Sequence, residues 1–144
     1  MWFMLQPHER DSHSLPLTLI ELPSTFAVCR LPADASLPSW ANAGPFCSVT
    51  RTADELSIVC CQDAVPNAIP CERGWRGFRI AGTIAFSAIG ILASLTAPLA
   101  AAGISIFAIS TYDTDFLLVK EVDRIAAINA LRNQGFTVTE SVVG

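Results

Sequence analysis

Apolar residues are distributed unevenly along the 144-residue chain. Residues 18–61 carry short runs of β-branched and aromatic residues separated by polar turns, a pattern that predicts several strands. Residues 80–112 contain no charged side chain at all. This second run exceeds the ~20 apolar residues that a transmembrane helix needs, so its length alone is compatible with a membrane span.

The internal pattern of the uncharged run instead predicts a helix followed by a strand. Gly103 is a typical helix terminator, and the β-branched and aromatic "ISIF" after it is typical of a strand. At about 100° per residue, the large side chains of residues 87–101 share one arc and the opposite arc carries small ones. The large ones are Ile89, Ile91, Leu92, Leu95 and Leu99. A lipid-facing helix would carry large side chains all round, so we expect an amphipathic helix outside the membrane.

A short internal repeat divides the chain. Shifted by 60 residues, "SVTRTADELSIV" (48–59) aligns with "AISTYDTDFLLV" (108–119), which suggests two copies of one unit. Each copy is predicted to be a strand, a polar turn and a second strand. Since the match is one short segment, chance similarity remains an alternative.

The second copy lies in the more complete context. "WRGFRIAG" predicts a strand, the uncharged helix and the hairpin follow, and "VDRIAAINALRNQG" predicts a second helix that stops at Gly135. Its predicted buried positions are Val122, Ile125, Ile128 and Leu131. With a last strand in "FTVTESVV", the order is β-α-β-β-α-β, a ferredoxin-like α+β fold with helices on one face of an antiparallel sheet.

The first copy is predicted to be a reduced version of the same unit. Its strands are "LTLIEL", "TFAVCRL", "FCSVT" and "LSIVC", and the short "LPSWAN" stands where a helix would be. "AVPNAIPCERG" is predicted to be a linker because it holds two prolines and a glycine. The predicted organisation is a flexible leader (1–14), a first unit (15–70) and a second unit (71–144).

Composition narrows the classes of partner. Only 15% of residues are charged and 51% are hydrophobic, so part of the surface is expected to be covered by self-association. The net charge is -4 with scattered basic residues, which argues against nucleic acid as a partner. The N-terminal apolar run is too short for a signal peptide, so we expect a cytoplasmic protein with no membrane partner.

The five cysteines are expected to be structural. They are an odd number for a disulfide framework, and Cys60, Cys61 and Cys71 lack the spacing of a zinc site. Cys29, Cys47 and Cys60 are predicted to be small buried hydrophobes in strands. We therefore expect neither a metal nor a cofactor.

Several of these segments resemble a known family. "ISTYDTDFLLVKE", preceded by "APLAAAGISI", together with "TFAVCRLP", "FCSVTRTADELSIVC" and "ERGWR", is similar to small bacterial proteins built from two tandem ACT domains. These in turn resemble one half of the CASTOR-type cytosolic arginine sensors. The resemblance covers about residues 18–140. It implies a regulatory module without chemistry of its own, which binds a small amino acid between paired domains of a homodimer.

The resemblance also implies which residues contact the ligand. They are the loop Ile84, Ala85, Phe86, Ser87 and Ala88, the strand start Ser105 and Ile106, and Thr111 and Asp115 of the hairpin. Arginine-sensing relatives carry a glycine and an acidic residue at the positions of Ala85 and Ala88. Losing that carboxylate removes a charge-assisted hydrogen bond of roughly 1.5–3 kcal/mol, which argues against arginine as the ligand.

The residues support a zwitterion site independently, with structural alternatives. A helix N-terminus near Ser87 can bind a carboxylate, and Asp115 or Asp113 can bind an ammonium group. Equally, Ser87 can be an N-cap, Asp113 can serve turn geometry, and Ser105 can be an outward-facing strand residue. Trp75 and Tyr112 are interpreted as packing residues rather than ligand stackers.

No catalytic motif is recognisable. The predicted folded part contains no histidine, no Gly-rich phosphate loop and no nucleophile with a base, so we expect no enzyme. Two hypotheses remain beside a small enzyme without a known motif. One is an amino-acid sensor, and the other is a structural assembly module whose pocket has closed.

Overall fold

The computed structural model describes residues 17–82 and 90–141. This part of the chain forms seven strands and two α-helices. They are β1 (Thr18–Leu31), β2 (Ser48–Arg51), β3 (Leu56–Cys61), β4 (Cys71–Ile80), α1 (Ile91–Ala101), β5 (Ile106–Ser110), β6 (Asp115–Lys120), α2 (Arg124–Asn133) and β7 (Thr137–Thr139). The α+β class is confirmed. None of the described helices has the length and apolarity to span a membrane.

All seven strands belong to one sheet, in the order β2-β3-β1-β4-β6-β5. These neighbours are antiparallel, whereas β7 adds to the start of β1 in parallel. The two strands predicted on either side of Pro23 are in fact one 14-residue strand, β1. The prediction was wrong because β1 continues past Pro23. Its pairing with β4 shifts register between Glu21 and Thr25, which accommodates the proline.

The predicted second unit is present in its element order but not as an independent sheet. The hairpin of β5 and β6 is confirmed, with Ser110 opposite Asp115 at its turn. The last strand, β7, lies against β1 and not against β4, because β1 occupies that side of β4. The predicted linker is also shorter than expected, since β4 begins at Cys71 within it.

Both predicted helix stops are confirmed. α1 ends two residues before Gly103 (φ 74°), and α2 ends two residues before Gly135 (φ 96°). Such positive φ values are open to glycine at little cost and terminate a helix. The predicted start of the first helix near Ser87 lies outside the described residues.

The buried faces of the helices match the predictions in part. Leu95 and Leu99 of α1 are fully buried, as expected from the wheel. In α2 the buried positions include Ile128 and Leu131, but Val122 is 90% exposed. The prediction failed there because Val122 belongs to a 3-10 turn that precedes α2 and so does not share its periodicity; Ile125, in the first turn of α2, is exposed as well.

Three apolar clusters hold the sheet. The helix-covered cluster packs α1 and α2 on β4 and β6 and includes Phe78 and Leu117. The cysteine-rich cluster surrounds Cys29 and Cys60 under short 3-10 turns. The aromatic cluster lies on the opposite face of the sheet. Its buried members are Phe26, Phe46, Val59, Trp75 and Leu118.

Candidate functional site

An open groove lies where β4 ends beside the turn of the β5–β6 hairpin. Its volume is about 650 Å³. The walls come from the end of β4, from the hairpin turn and from the segment that precedes β2. The lining residues are Pro45, Phe46, Cys47, Arg79, Gly82, Thr111, Asp113, Thr114 and Phe116. We refer to it as the Arg79–Asp113 groove.

The hairpin turn is fixed to the end of β4 by Thr114. This residue is buried, and its hydroxyl donates a hydrogen bond to the carbonyl oxygen of Ile80 at 2.9 Å. Within the turn, the Thr111 N–H donates to the Thr114 carbonyl at 2.8 Å, and the Thr114 N–H donates to the Thr111 hydroxyl oxygen at 3.2 Å. The turn that carries Asp113 therefore has a defined position next to Arg79.

Arg79 and Asp113 place opposite charges in one groove. Arg79 is half-buried, and its backbone lies directly opposite Phe116 of β6. Its guanidinium makes one long hydrogen bond, with Nη1 donating to the Ile80 carbonyl at 3.4 Å. Within residues 17–82 and 90–141, neither Arg79 nor Asp113 takes part in an ion pair. The groove thus offers a donor-rich cation and an acceptor anion to a ligand.

Aromatic rings form the apolar wall of the groove. The ring of Phe46 stacks on Phe116 with centroids 4.3 Å apart and an interplanar angle of 28°. Phe26 meets Phe46 edge-on at 5.8 Å. The stack of Phe46 on Phe116 joins the segment before β2 to strand β6, although the two are distant in the sequence. Phe46 is itself 9% exposed.

The predicted ligand residues are placed differently. Ile84, Ala85, Phe86, Ser87 and Ala88 lie outside the described residues, so their contacts stay predictions. Ser105 is exposed, and Ile106 packs against the helix-covered cluster. Neither lines the groove, whereas Thr111 does.

The two aspartates of the hairpin have different surroundings. Asp115 accepts a hydrogen bond from the Ser110 hydroxyl at 2.5 Å, next to the turn of the hairpin. Asp113, which sequence reasoning named as the alternative, lines the groove. The geometry therefore favours Asp113 over Asp115 as the acidic group available to a ligand.

Sequence reasoning missed Arg79 and Phe46. Alternation along β4 was a usable signal for Arg79, because Phe78 and Ile80 are buried in the helix-covered cluster and the residue between them must face the other side. No sequence signal was available for Phe46, since its position depends on how the chain crosses the sheet.

The two residues interpreted as packing residues differ. Trp75 is 7% exposed within the aromatic cluster, and the Lys120 ammonium lies 4.7 Å from its ring centroid. Its packing role is confirmed. Tyr112 is 80% exposed in the hairpin turn, so the same interpretation stays a prediction for it.

The cysteines behave mainly as buried apolar groups. Burial raises the pKa of the Cys29 thiol to about 12, with further increases from neighbouring Cys60 and Cys71. Burial likewise raises the pKa of Cys60. Cys47 is half-buried just before β2, so its predicted place in a strand was wrong. Among the described residues no group of histidine, cysteine or acidic side chains is arranged to hold a metal.

A buried ion cluster lies between the helix-covered and cysteine-rich clusters. Glu21 is 3% exposed and pairs with Arg76 at 3.2 Å and with Arg124 at 2.6 Å. The Ser141 N–H also donates to Glu21 at 2.9 Å. Burial raises the pKa of Glu21, but these hydrogen bonds and positive charges outweigh it and hold its pKa below 4.5. The cluster ties β1, β4 and α2 together.

Two family models match the chain. Residues 71–133 match the ACT domain, and residues 24–68 match a model described as the N-terminal domain of another family. The first match spans β4 to the end of α2. No curated protein matches the sequence.

Solved structures share the fold over most of the chain. A protein from Agrobacterium tumefaciens is 39% identical, with 88% of this chain and 94% of that chain covered and a TM-score of 0.83. A protein of unknown function from Vibrio cholerae, described as a possible transport protein, is 19% identical over 87% of this chain and 96% of its own, with a TM-score of 0.70. The aspartate kinase of Clostridium acetobutylicum is 14% identical, covering 83% of this chain and 35% of the kinase, with a TM-score of 0.62.

Proposed function

We propose that this chain, which belongs to the same family as the Agrobacterium tumefaciens protein, is a non-catalytic module that binds a small amino acid. Its residues 71–133 match the ACT domain. The ACT fold is a regulatory fold, and the kinase neighbour is an allosteric enzyme. The proposed binding site is the Arg79–Asp113 groove.

The pairing of opposite charges in that groove carries the proposal. An amino acid presents a carboxylate and an ammonium group bonded to the same α-carbon, and Arg79 and Asp113 supply the complementary charges. A guanidinium binds a carboxylate through paired donors, and an aspartate binds an ammonium group by charge-assisted hydrogen bonds. Because both residues lack ion-pair partners among the described residues, no existing ion pair has to break first.

The proposed organisation is a cytoplasmic homodimer of a two-unit chain similar to one half of the CASTOR-type sensors. The family models meet between residues 68 and 71, which supports a division into 15–70 and 71–144. A content of only 15% charged residues supports a covered surface. In this proposal the partner subunit completes the site.

A thermal-shift screen of the full chain against the twenty amino acids tests the function, with the molar mass measured by light scattering in the same buffer. A ligand that binds only the native state raises the melting temperature, by an amount that grows with concentration. We expect a selective rise on a dimer. A flat screen at near-saturating concentrations of every amino acid would contradict the proposal.

Two conservative variants test the site. Asp113→Asn removes the negative charge from the groove, so we expect the affinity for the amino acid found in the screen to fall by about tenfold or more. Asp115→Asn changes a neighbouring aspartate that already accepts from Ser110, and it serves as the matched control. Loss of binding in Asp115→Asn with retention in Asp113→Asn would return the ammonium site to Asp115.

A second candidate function is a structural assembly module without a ligand. The outer face of α1 supports it, because exposed Ala93, Ala97 and Ala101 lie in a stretch without any charge. Such a face permits close packing against another protein. A flat amino-acid screen together with a concentration-dependent dimer that dissociates in Ala97→Glu would favour this function.

A further inference from the structure

We propose that the amino acid recognised by the Arg79–Asp113 groove has an uncharged, apolar side chain, and that Phe46 selects it. This inference rests on the proposed function and names the ligand class for the same site. Three features support it: the charges of the groove, its aromatic wall, and the position of Phe46 outside residues 71–133.

The charge balance of the groove favours a ligand without a charged side chain. Among the nine described lining residues, Arg79 and Asp113 carry the charges and their sum is zero. The main-chain groups of a zwitterion use both. A further charge on a lysine, arginine, aspartate or glutamate ligand would have no described counter-charge and would lose water on binding.

The wall beside the charged pair is apolar. Phe116 lies directly across from Arg79 in the β4–β6 register, so a ligand held by the guanidinium lies next to that ring. Phe46 covers Phe116 by stacking at 4.3 Å, and Pro45 and Cys47 extend the wall on either side of Phe46. A polar side chain would find few partners there, whereas an apolar side chain would be removed from water.

Phe46 comes from outside the ACT match. It precedes β2, whereas Arg79, Asp113 and Phe116 all lie within residues 71–133. Two different parts of the chain would therefore contact the ligand. Arg79 and Asp113 would bind its carboxylate and ammonium groups, and Phe46 would contact its side chain. Selectivity can change through Phe46 without any change to the charged pair.

Isothermal titration of the full chain with five probes tests the inference. L-leucine and L-phenylalanine carry apolar side chains, glycine carries none, and L-arginine and L-aspartate carry charges. We expect one of the two apolar probes to bind at least about tenfold more tightly than glycine and than both charged probes.

Paired aromatic variants identify the selecting residue. We expect Phe46→Ala to lower the affinity for the preferred apolar probe by about tenfold more than it lowers the affinity for glycine. Phe107→Ala is the matched control, because Phe107 belongs to the same aromatic cluster but does not line this groove. Phe46→Leu, which keeps apolar volume, provides a folded variant if the alanine variant unfolds, and it should alter the ratio of leucine to phenylalanine binding.

The outcomes separate the inference from the proposed function. Tightest binding of glycine or of a charged probe, or unchanged probe ratios in both Phe46 variants, would overturn the inference and leave an amino-acid sensor standing. Absence of binding by all five probes and by the other fifteen amino acids would overturn both. Selective apolar binding that depends on Phe46 and not on Phe107 would support both.

Discussion

The face of the sheet opposite the aromatic cluster is covered in two different ways. α-Helices cover the helix-covered cluster at one end, and 3-10 turns cover the cysteine-rich cluster at the other. At one end, full helices bury large side chains such as Leu95, Leu99 and Leu131. At the other end, short 3-10 turns cover a cluster in which small side chains such as Cys29 and Cys60 lie beside the larger Leu56 and Ile58. A 3-10 turn has few residues with which to fill space, so small side chains beneath it allow the close approach that it needs. The shorter cover therefore lies where small side chains make up part of the buried layer.

The two ends are joined by strands and by charge. β1 and β4 pair over most of their length and run through both ends, so neither end has a sheet of its own. The ion cluster of Glu21, Arg76 and Arg124 lies between the two apolar clusters. We therefore expect the two ends to unfold together as one cooperative unit.

Removing the charge of Glu21 should have the largest effect on that unit. Glu21→Gln keeps the shape of the side chain but leaves Arg76, which is 2% exposed, without its buried counter-charge. Breaking a buried ion pair in this way typically costs about 3–5 kcal/mol of unfolding free energy. Urea unfolding followed by tryptophan fluorescence and by circular dichroism measures the loss. A change below about 0.5 kcal/mol, the range of an ordinary surface substitution, would refute this role for the cluster.

Truncation of one buried residue at each end should give unequal losses. Leu99→Ala at the helix-covered end removes a large side chain and leaves a cavity, which typically costs about 2–5 kcal/mol. Cys60→Ala at the other end removes a single heavy atom, for which we expect about 1 kcal/mol. Both residues are fully buried, so exposure does not confound the pair. Equal losses in urea unfolding would contradict the larger contribution expected of Leu99.

Acid should destabilise the protein partly through Glu21. Its folded-state pKa lies below the unfolded value of 4.5, so its stabilising contribution is present above pH 4.5 and is lost as the pH falls through the folded-state pKa. One proton can change the unfolding free energy by at most about 1.4 kcal/mol per pH unit. Unfolding free energies measured from pH 6 to pH 3 should fall less steeply in Glu21→Gln than in the unmodified chain. Parallel curves would exclude the contribution of Glu21.

Local patterns of the sequence predicted the second half of the fold well. The β5–β6 hairpin, the helix stops at Gly103 and Gly135 and the buried Leu95 and Leu99 all follow from periodicity and glycine placement. Such features depend on neighbours within one helix or one turn. They could be predicted because the relevant interactions are local in the sequence.

Features that depend on distant contacts could not be predicted in this way. Pro23 looked like a strand boundary, but the pairing of β1 with β4 continues past it. The place of β7 beside β1 also depends on the whole sheet. In the candidate site, Asp113 was recognised as an alternative. Phe46 is held at the groove by its contacts with Phe26 and with Phe116, the second of which is 70 positions away in the sequence.

The smallest expected effect comes from the same chemical change at an exposed ion pair. Glu72 pairs with Lys120 at 2.9 Å, but its side chain is 69% exposed, compared with 0% for Glu21. Water screens the exposed pair and solvates Lys120 after the change, so Glu72→Gln should lower the unfolding free energy by no more than about 1 kcal/mol. Lys120 also keeps its position over Trp75, which retains part of the stabilisation. Both variants should be measured by urea unfolding. If Glu72→Gln lowered the unfolding free energy as much as Glu21→Gln does, burial would not be the reason for the stabilisation by the Glu21 cluster.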